Sequence, residues 1–211
     1  MQATQFESLN TRTFSAGQYH TAIMPIGFCE SHGDHLPFGM DALTAHALAL
    51  RVGAKVPGIM VLPPTFFGMS HHYRHQPMTI SLSIATTTAL FREIFESLAL
   101  VGIQRIFVLN DHDGNMTCWE TAARRTKLAY PGSAIAGVDW WVPVGQLCPP
   151  ELFEVWSGWG HGSGRKRPLH GRYRGQLHCR LPGGTARQCA WLRPRASLRC
   201  WNGLTDWIKN K

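Results

Sequence analysis

The segment TAIMPIGFCESHGDHLPFGMD, residues 21–41, decides the fold of this chain. It opens on a mostly apolar run, residues 21–28, which is typical of a buried strand. Directly after that run the chain gathers acidic and imidazole side chains between glycines and a proline: Glu30, His32, Asp34, His35 and Asp41. An ordinary turn does not need so many ionisable groups, so the segment predicts a strand that ends in a functional cluster.

Strand-like and helix-like segments alternate from residue 21 to residue 141. The predicted strands are residues 21–28, a run that begins at 58 and is stopped by Pro63 and Pro64, residues 104–110 and residues 134–141; the predicted helices are residues 41–56, 85–102 and 116–130. This alternation predicts an α/β fold, a mostly parallel sheet with helices on both faces. Asp41 is expected to be the N-cap of the first helix.

Two polar clusters follow strands of this predicted sheet. The first is the cluster at 30–41, and the second is NDHDGN at 110–115. Because functional groups collect beyond the carboxyl ends of parallel strands, we expect both clusters to meet at one edge. Either cluster alone is also typical of turn and capping chemistry, whereas the two together favour a site.

Four of these side chains form a candidate metal site. Glu30 and His32 are two residues apart, so in extended backbone they point the same way. Asp41 lies at the start of the predicted helix that follows, and His112 lies just after the neighbouring predicted strand. Two carboxylates and two imidazoles without a thiolate suit Zn²⁺, Mn²⁺ or Fe²⁺. If Asp41 bridged two ions about 3.5–4 Å apart, the site would suit a two-metal hydrolase.

Four sequence blocks carry a resemblance to a known family. The segment MPIGFCESHGDHLPFGMD (24–41) resembles the signature of the creatininase family, and three later blocks follow in the family's order: FFGMSHHYRHQPMTISL (66–82), NDHDGN (110–115) and GWGHG (158–162). The resemblance covers about residues 20–162. It implies a creatininase-like three-layer α/β fold, a small-molecule amide substrate and a homo-oligomer, which is often a hexamer in the family. The family's members are metal-dependent amidohydrolases that open cyclic amides or cleave amide and formamide bonds.

The resemblance also implies roles for single residues. Glu30 and His112 would bind one metal, His32 would bind the other, and Asp41 would bridge them. The cofactor would be Zn²⁺ or Mn²⁺, with Fe²⁺ as an alternative, at one or two ions per chain. A metal-bound hydroxide would attack the amide carbonyl, while His161 would move a proton to the leaving nitrogen.

Other candidates have weaker patterns. Trp140 and Trp141 are candidates for the wall of the substrate pocket, although two aromatic residues after a strand also suit a core. His35 and Asp113 are candidates for support behind the ligands, or plain loop residues. The histidines at 71, 72 and 75 are typical of a loop surface, with one of them near the site as the alternative.

The chain departs from the family pattern where the second metal needs its last carboxylate. In the creatinine-hydrolysing branch a Glu stands where this chain has Gly114. Other branches take a carboxylate from the block after His161, where this chain has the basic residues 165–167. We therefore expect one tight metal site and a weak or empty second one, with Asp111 or Asp113 as the next candidates for the missing ligand.

The charge composition of the chain changes near residue 162. Residues 1–161 hold nine Lys/Arg and twelve Asp/Glu, whereas residues 162–202 hold ten Lys/Arg and no acid. We therefore divide the chain into a creatininase-like domain, 1–161, and a basic segment, 162–211, which we expect to be poorly ordered. Three interpretations of that segment stay open: a nucleic-acid-binding arm, a Cys/His zinc site, or a shifted reading frame across 163–200.

Two functions therefore compete at this stage. The first is a metal-dependent amidohydrolase, a hydrolase of C–N bonds other than peptide bonds. The second is a catalytically impaired family member that binds a partner, with nucleic acid as an unlikely choice. Six cysteines without a CxxC pair, no N-terminal leader pattern and no apolar run of about 20 residues predict a cytoplasmic protein without membrane contact.

Overall fold

The computed structural model describes residues 2–32 and 36–142. Almost all of these belong to one compact unit, residues 1–31 with 37–140, and the few described residues at 32, 36, 141 and 142 belong to a second. The strands are β1 (Thr4–Gln5), β2 (Thr21–Ile26), β3 (Ile59–Val61), β4 (Arg105–Asn110) and β5 (Ala134–Asp139). The helices are α1 (Thr11–Gly17), α2 (Met40–Gly53), α3 (Ile84–Leu100) and α4 (Met116–Ala129), and short 3-10 turns lie at Phe6–Ser8, His71–Tyr73 and Asp113–Asn115.

The five strands form one sheet in the order β1-β3-β2-β4-β5, and every pair is parallel. The register aligns the carboxyl ends of the three strands that matter for the site. Ile26 lies opposite Asn110, and Asn110 lies opposite Asp139. The loops that follow β2, β4 and β5 therefore leave the sheet side by side.

Helices cover both faces of the sheet. On one face, Ala22, Met24 and Ile26 of β2 pack with Phe91 and Phe95 of α3 in a cluster that also includes buried residues of α4. On the other face α2 lies against β2 and β3. Its buried positions include three alanines and a glycine, small residues that let the helix approach the strands closely. The predicted α/β fold with a parallel sheet is confirmed.

Gly27, directly after β2, lies close against the first turn of α2. A Cβ at this position would overlap the backbone of Asp41 and Ala42 in the first turn of α2. The missing side chain therefore lets the start of α2, which carries Asp41, lie directly against the end of β2.

The structure corrects the expected start of α2. Asp41 is not the N-cap, because the chain turns at Pro37–Gly39 and the helix already begins at Met40. Gly39 takes the cap position without a side-chain hydrogen bond, and Asp41 lies buried in the first turn. Its carboxylate faces His112 instead of the helix end.

Two elements near the N-terminus had no sequence prediction. The two-residue strand β1 is too short to show a period. The helix α1 begins after Asn10, whose side chain forms a capping box with Thr13. No helix in the part of the chain that the structure describes is long and apolar enough to cross a membrane.

Changing Gly27 to Ala should destabilise the fold by about 1–3 kcal/mol or more, because the added methyl must push α2 away from the sheet. The matched control is Gly132→Ala, since a Cβ there meets no atom within 4 Å. Urea unfolding followed by circular dichroism measures both variants. Equal free energies of unfolding for the two variants would contradict the close approach.

Candidate metal centre

Three ionisable side chains are buried together at the carboxyl edge of the sheet. Glu30, Asp41 and His112 are 5%, 4% and 4% exposed. The Nδ1 atom of His112 lies 3.2 Å from Asp41 Oδ2 and 3.7 Å from Glu30 Oε1. Ligands at about 2.0–2.1 Å from a tetrahedral ion are separated by about 3.3 Å, so these distances suit one shared cation.

The ring of His112 is oriented by the backbone. Its Nε2 lies 3.0 Å from the carbonyl oxygen of Met69. Because a carbonyl oxygen only accepts, Nε2 carries a proton and donates it, which points Nδ1 at the two carboxylates. The ring also stacks on Phe28, with centroids 4.7 Å apart and planes 18° from parallel.

This arrangement needs a positive charge between Nδ1 and the carboxylates. Burial acts to lower the pKa of His112, but the hydrogen bond to Asp41, the charges of Glu30 and Asp41 and the Met69 carbonyl together raise the pKa above its ordinary value. A proton on Nδ1 supplies the charge in the absence of an ion. A divalent cation would supply it with the imidazole neutral, which is the form that binds metals.

Asn110, the last residue of β4, holds the backbone of His112. Its Oδ1 accepts from the N–H of His112 (3.1 Å), and its Nδ2 donates to the carbonyl of His112 (2.9 Å). The same Nδ2 donates to Asp139 Oδ1 at the end of β5 (2.7 Å). Burial raises the pKa of Asp139, and this hydrogen bond opposes the rise.

Asn115 fixes the carbonyl that orients His112. Its Oδ1 accepts from the N–H of Met69 (3.1 Å), and its Nδ2 donates to the carbonyl of Gly27 (2.9 Å). A Cβ at Gly68 would overlap the Asn115 side chain, and a Cβ at Gly114 would overlap the Met69 carbonyl oxygen. Both positions therefore require glycine in this backbone.

Ser70 holds Glu30 from the other side. Its Oγ donates to Glu30 Oε2 at 2.5 Å, and its own N–H donates to Ser81 Oγ at 2.8 Å. One oxygen of Glu30 is thus occupied, and Oε1 is the one that faces His112. Sequence reasoning assigned no role to Ser70, because an isolated serine in a loop carries no spacing signal.

His32 also lies with the buried carboxylates. Glu30, His32 and Asp41 each offer a ligand atom, and these atoms all lie within 4.8 Å of one another. His112 is not part of this group of three, but it contacts the same two carboxylates. The donor set holds only nitrogen and oxygen atoms, which fits Zn²⁺ or Mn²⁺.

Four other predicted residues are His35, His161, Asp113 and Trp141. His35 and His161 lie outside the described residues, as does the basic segment 162–211. Asp113 is half-buried in the 3-10 turn after His112, and its charge acts on His72 and Asp139. Trp141 is half-buried.

Trp140 and Asp111 form a pair at the ends of β5 and β4. The indole N–H of Trp140 donates to Asp111 Oδ1. Burial raises the pKa of Asp111 well above its usual range, and the charge of Asp41 adds to the rise, whereas the indole hydrogen bond opposes it.

His72 is the histidine of the 66–82 block that comes near the site. Its ring is parallel to that of His112, with centroids 6.3 Å apart. Burial lowers the pKa of His72, and the charge of Glu30 only partly offsets this. Sequence reasoning left open which of three histidines would lie here, because the loop has no period.

The creatininase family model, described as creatinine amidohydrolase, matches residues 7–178. The chain belongs to the creatininase family. Its membership agrees with the four sequence blocks, so the predicted resemblance is confirmed. The match also includes the site loops after β2 and β4, whose side chains form the candidate centre.

Characterised relatives of this creatininase-family chain have different names. It is 32% identical over 98 residues to creatinine amidohydrolase of Pseudomonas putida, covering 44% of this chain and 37% of that protein. It is 34% identical over 140 residues to the mycofactocin precursor peptide peptidase of Mycolicibacterium smegmatis, covering 62% and 54%. A 2-amino-5-formylamino-6-ribosylaminopyrimidin-4(3H)-one 5'-monophosphate deformylase of Methanococcus maripaludis is 34% identical over 107 residues, covering 48% and 45%. The chain thus matches about half or less of the length of these relatives.

Solved creatininase structures share the fold. A creatinine amidohydrolase crystal structure superposes with a TM-score of 0.73 at 22% identity, covering 99% of this chain and 97% of that one. A manganese creatininase gives a TM-score of 0.72 at 21% identity, covering 99% and 98%. A mutant creatininase of the Zn–Zn type gives 0.68 at 20%, covering 100% and 98%.

Replacing Ser70 by Ala should weaken metal binding by about tenfold, because Glu30 loses the hydrogen bond that orients it. The metal-free variant should also lose stability, by about 1–3 kcal/mol, since Glu30 Oε2 stays buried without a donor. Calorimetric titration with Mn²⁺ measures the first effect and urea unfolding the second. Ser97→Ala, on the exposed side of α3, is the control, and equal Mn²⁺ affinities in both variants would contradict the role of Ser70.

Proposed function

We propose that this chain is a metal-dependent amidohydrolase that breaks a C–N bond in a small-molecule amide. The observation that carries the proposal is the orientation of His112. A backbone carbonyl directs its Nδ1 at two buried carboxylates, which is an arrangement that needs a cation. Membership of the creatininase family agrees with this reading, since its relatives are named for work on amide, formylamino or peptide bonds.

Some residues of the site would bind the metal ions directly, and others orient those ligands. Glu30 and His112 would hold one ion, His32 the other, and Asp41 would lie between them. A divalent ion bound there supplies Lewis acidity, which polarises an amide carbonyl and lowers the pKa of water. Ser70 fixes the orientation of Glu30, and the Met69 carbonyl keeps the proton of His112 on Nε2.

Proton transfer to the leaving nitrogen needs a separate group. His161 is our proposed acid, on the strength of its sequence block alone, since it lies outside the described residues. Water adds to the carbonyl carbon, the C–N bond breaks, and the nitrogen takes the proton. Trp140 and Trp141 are proposed to line the substrate pocket, while His35 and Asp113 are proposed to support the ligands.

The names of the relatives indicate three chemical classes of substrate. The named relatives act on creatinine, on a peptide precursor and on a formylamino-pyrimidine. We favour a cyclic amide or another non-peptide C–N bond. Assembly into a homo-oligomer and a cytoplasmic location remain predictions, and light scattering tests the first.

A non-catalytic binding role is the weaker alternative. It depends on the basic segment 162–211, which lies outside the described residues. No observation in residues 2–32 or 36–142 favours it, whereas the buried ligand cluster is hard to explain without an ion.

Changing His112 to Asn should lower both metal content and amide hydrolysis by about 100-fold or more, because the ring is a direct ligand. Glu30→Gln and Asp41→Asn should do the same. Elemental analysis of the purified full chain measures the metal, and a panel of cyclic amides, formamides and peptides measures the activity.

The matched control is His20→Asn, which changes an exposed histidine at the amino end of β2, the opposite edge of the sheet. It should keep the metal and the activity of the starting protein. A starting protein that holds no divalent ion after purification and reloading would refute the proposed function. Retained metal in His112→Asn would refute the ligand assignment.

A further inference from the structure

Asp111 is a carboxylate that the proposed chemistry does not use. Its backbone N–H donates to the carbonyl of Ile26 (2.9 Å), and its Oδ1 accepts from the indole of Trp140. Its Oδ2 is buried and has no hydrogen-bond partner among the described residues. A buried polar atom left without a partner costs about 1–3 kcal/mol, so the fold keeps a group whose second oxygen is available to a ligand.

The strand register places Asp111 beside the first turn of α2. Ile26 lies opposite Asn110, so the next pair along β2 and β4 is Gly27 and Asp111. Side chains alternate between the faces of a sheet, and Gly27 is on the face that α2 covers, because a Cβ there would overlap the backbone of Asp41. The register therefore places Asp111 beside Gly27, on the face of the sheet where the first turn of α2 carries Asp41.

We propose that Asp111 is a ligand for a second divalent ion beside Asp41. The inference rests on the proposed function, because it adds a carboxylate to the same metal centre. A divalent ion between the two carboxylates would be attracted to both of them.

The other carboxylate candidates on this loop fit less well. Gly114 cannot carry a side chain, because its Cβ would overlap the Met69 carbonyl oxygen. Asp113 acts on His72 and Asp139. Asp111 is the acid of this loop that has a buried oxygen without a hydrogen-bond partner among the described residues.

The test is a Mn²⁺ titration of the full-length, metal-stripped protein. Asp111→Asn keeps the shape and the acceptor for the Trp140 indole but removes the charge. Glu93→Gln, an exposed acid on α3, is the control. The starting protein and the control should bind two Mn²⁺ per chain and show a spin-coupled electron paramagnetic resonance spectrum. Asp111→Asn should bind one ion with affinity unchanged within about threefold, lose the other by at least about tenfold, and show an uncoupled spectrum.

Thermal melting distinguishes a metal ligand from a residue with a purely structural role. The two roles predict different effects of the substitution on the melting temperature with and without Mn²⁺. Metal-free Asp111→Asn should melt close to the temperature of the starting protein, because it keeps the acceptor for the Trp140 indole. The rise in melting temperature on adding Mn²⁺ should be smaller in the variant. If Asp111→Asn misfolds, Asp111→Ser provides the same comparison.

The outcomes separate the two proposals. If Asp111→Asn binds Mn²⁺ with the stoichiometry and affinities of the starting protein, the assignment of Asp111 is wrong and the proposed function stands. A metal-free variant that melts lower and gains as much from Mn²⁺ as the starting protein would also overturn the assignment. A starting protein that binds no Mn²⁺ and no Zn²⁺ overturns the proposed function itself.

Discussion

Glu30, Asp41 and His112 need one positive charge between them, and the carboxyl edge of the sheet is built around that need. Two carboxylate oxygens lie within 3.7 Å of one imidazole nitrogen in a place that water hardly reaches. In such a place two negative charges without a cation are strongly unfavourable. Ser70 donates to Glu30 Oε2, and the Met69 carbonyl accepts from Nε2 of His112, so both contacts leave Glu30 Oε1 and His112 Nδ1 facing each other.

The rigidity of this arrangement comes from backbone contacts. Asn115 ties the N–H of Met69 to the carbonyl of Gly27, so the loop before α3 is locked to the end of β2. Asn110 locks the backbone of His112 to β5 through Asp139. Ligands held this way do not have to be ordered when an ion binds, so less of the binding free energy is lost to ordering. The same contacts explain why glycine occupies positions where the backbone segments meet.

Much of the fold, and the meeting of Glu30, Asp41 and His112 at one edge, could be predicted from the sequence, because both follow from strong local patterns. The apolar run before Glu30 and the one before His112 predicted two buried strands, and parallel pairing then required their ends to meet. The N-cap prediction for Asp41 failed because it used only local propensity. A buried imidazole 71 positions away in the chain is the stronger partner for that carboxylate. Ser70 and Asn115 were not predicted, since their partners lie far away in sequence and a single polar residue in a loop has no period.

The departures from the family pattern in NDHDGN are physically connected. A side chain at Gly114 would strike the carbonyl that orients His112, so this backbone excludes a carboxylate from that position. Position 111 has a different environment, since its neighbour beyond the end of β2 is Gly27, which has no side chain. The loop can therefore carry an acid before His112 but not two residues after it. Sequence comparison alone reads an Asp in place of Gly and a Gly in place of Glu as two losses. In the structure the Met69 carbonyl leaves no room for a side chain at 114, whereas the neighbour of Asp111 beyond β2 is a glycine, so the acid of this loop lies before His112.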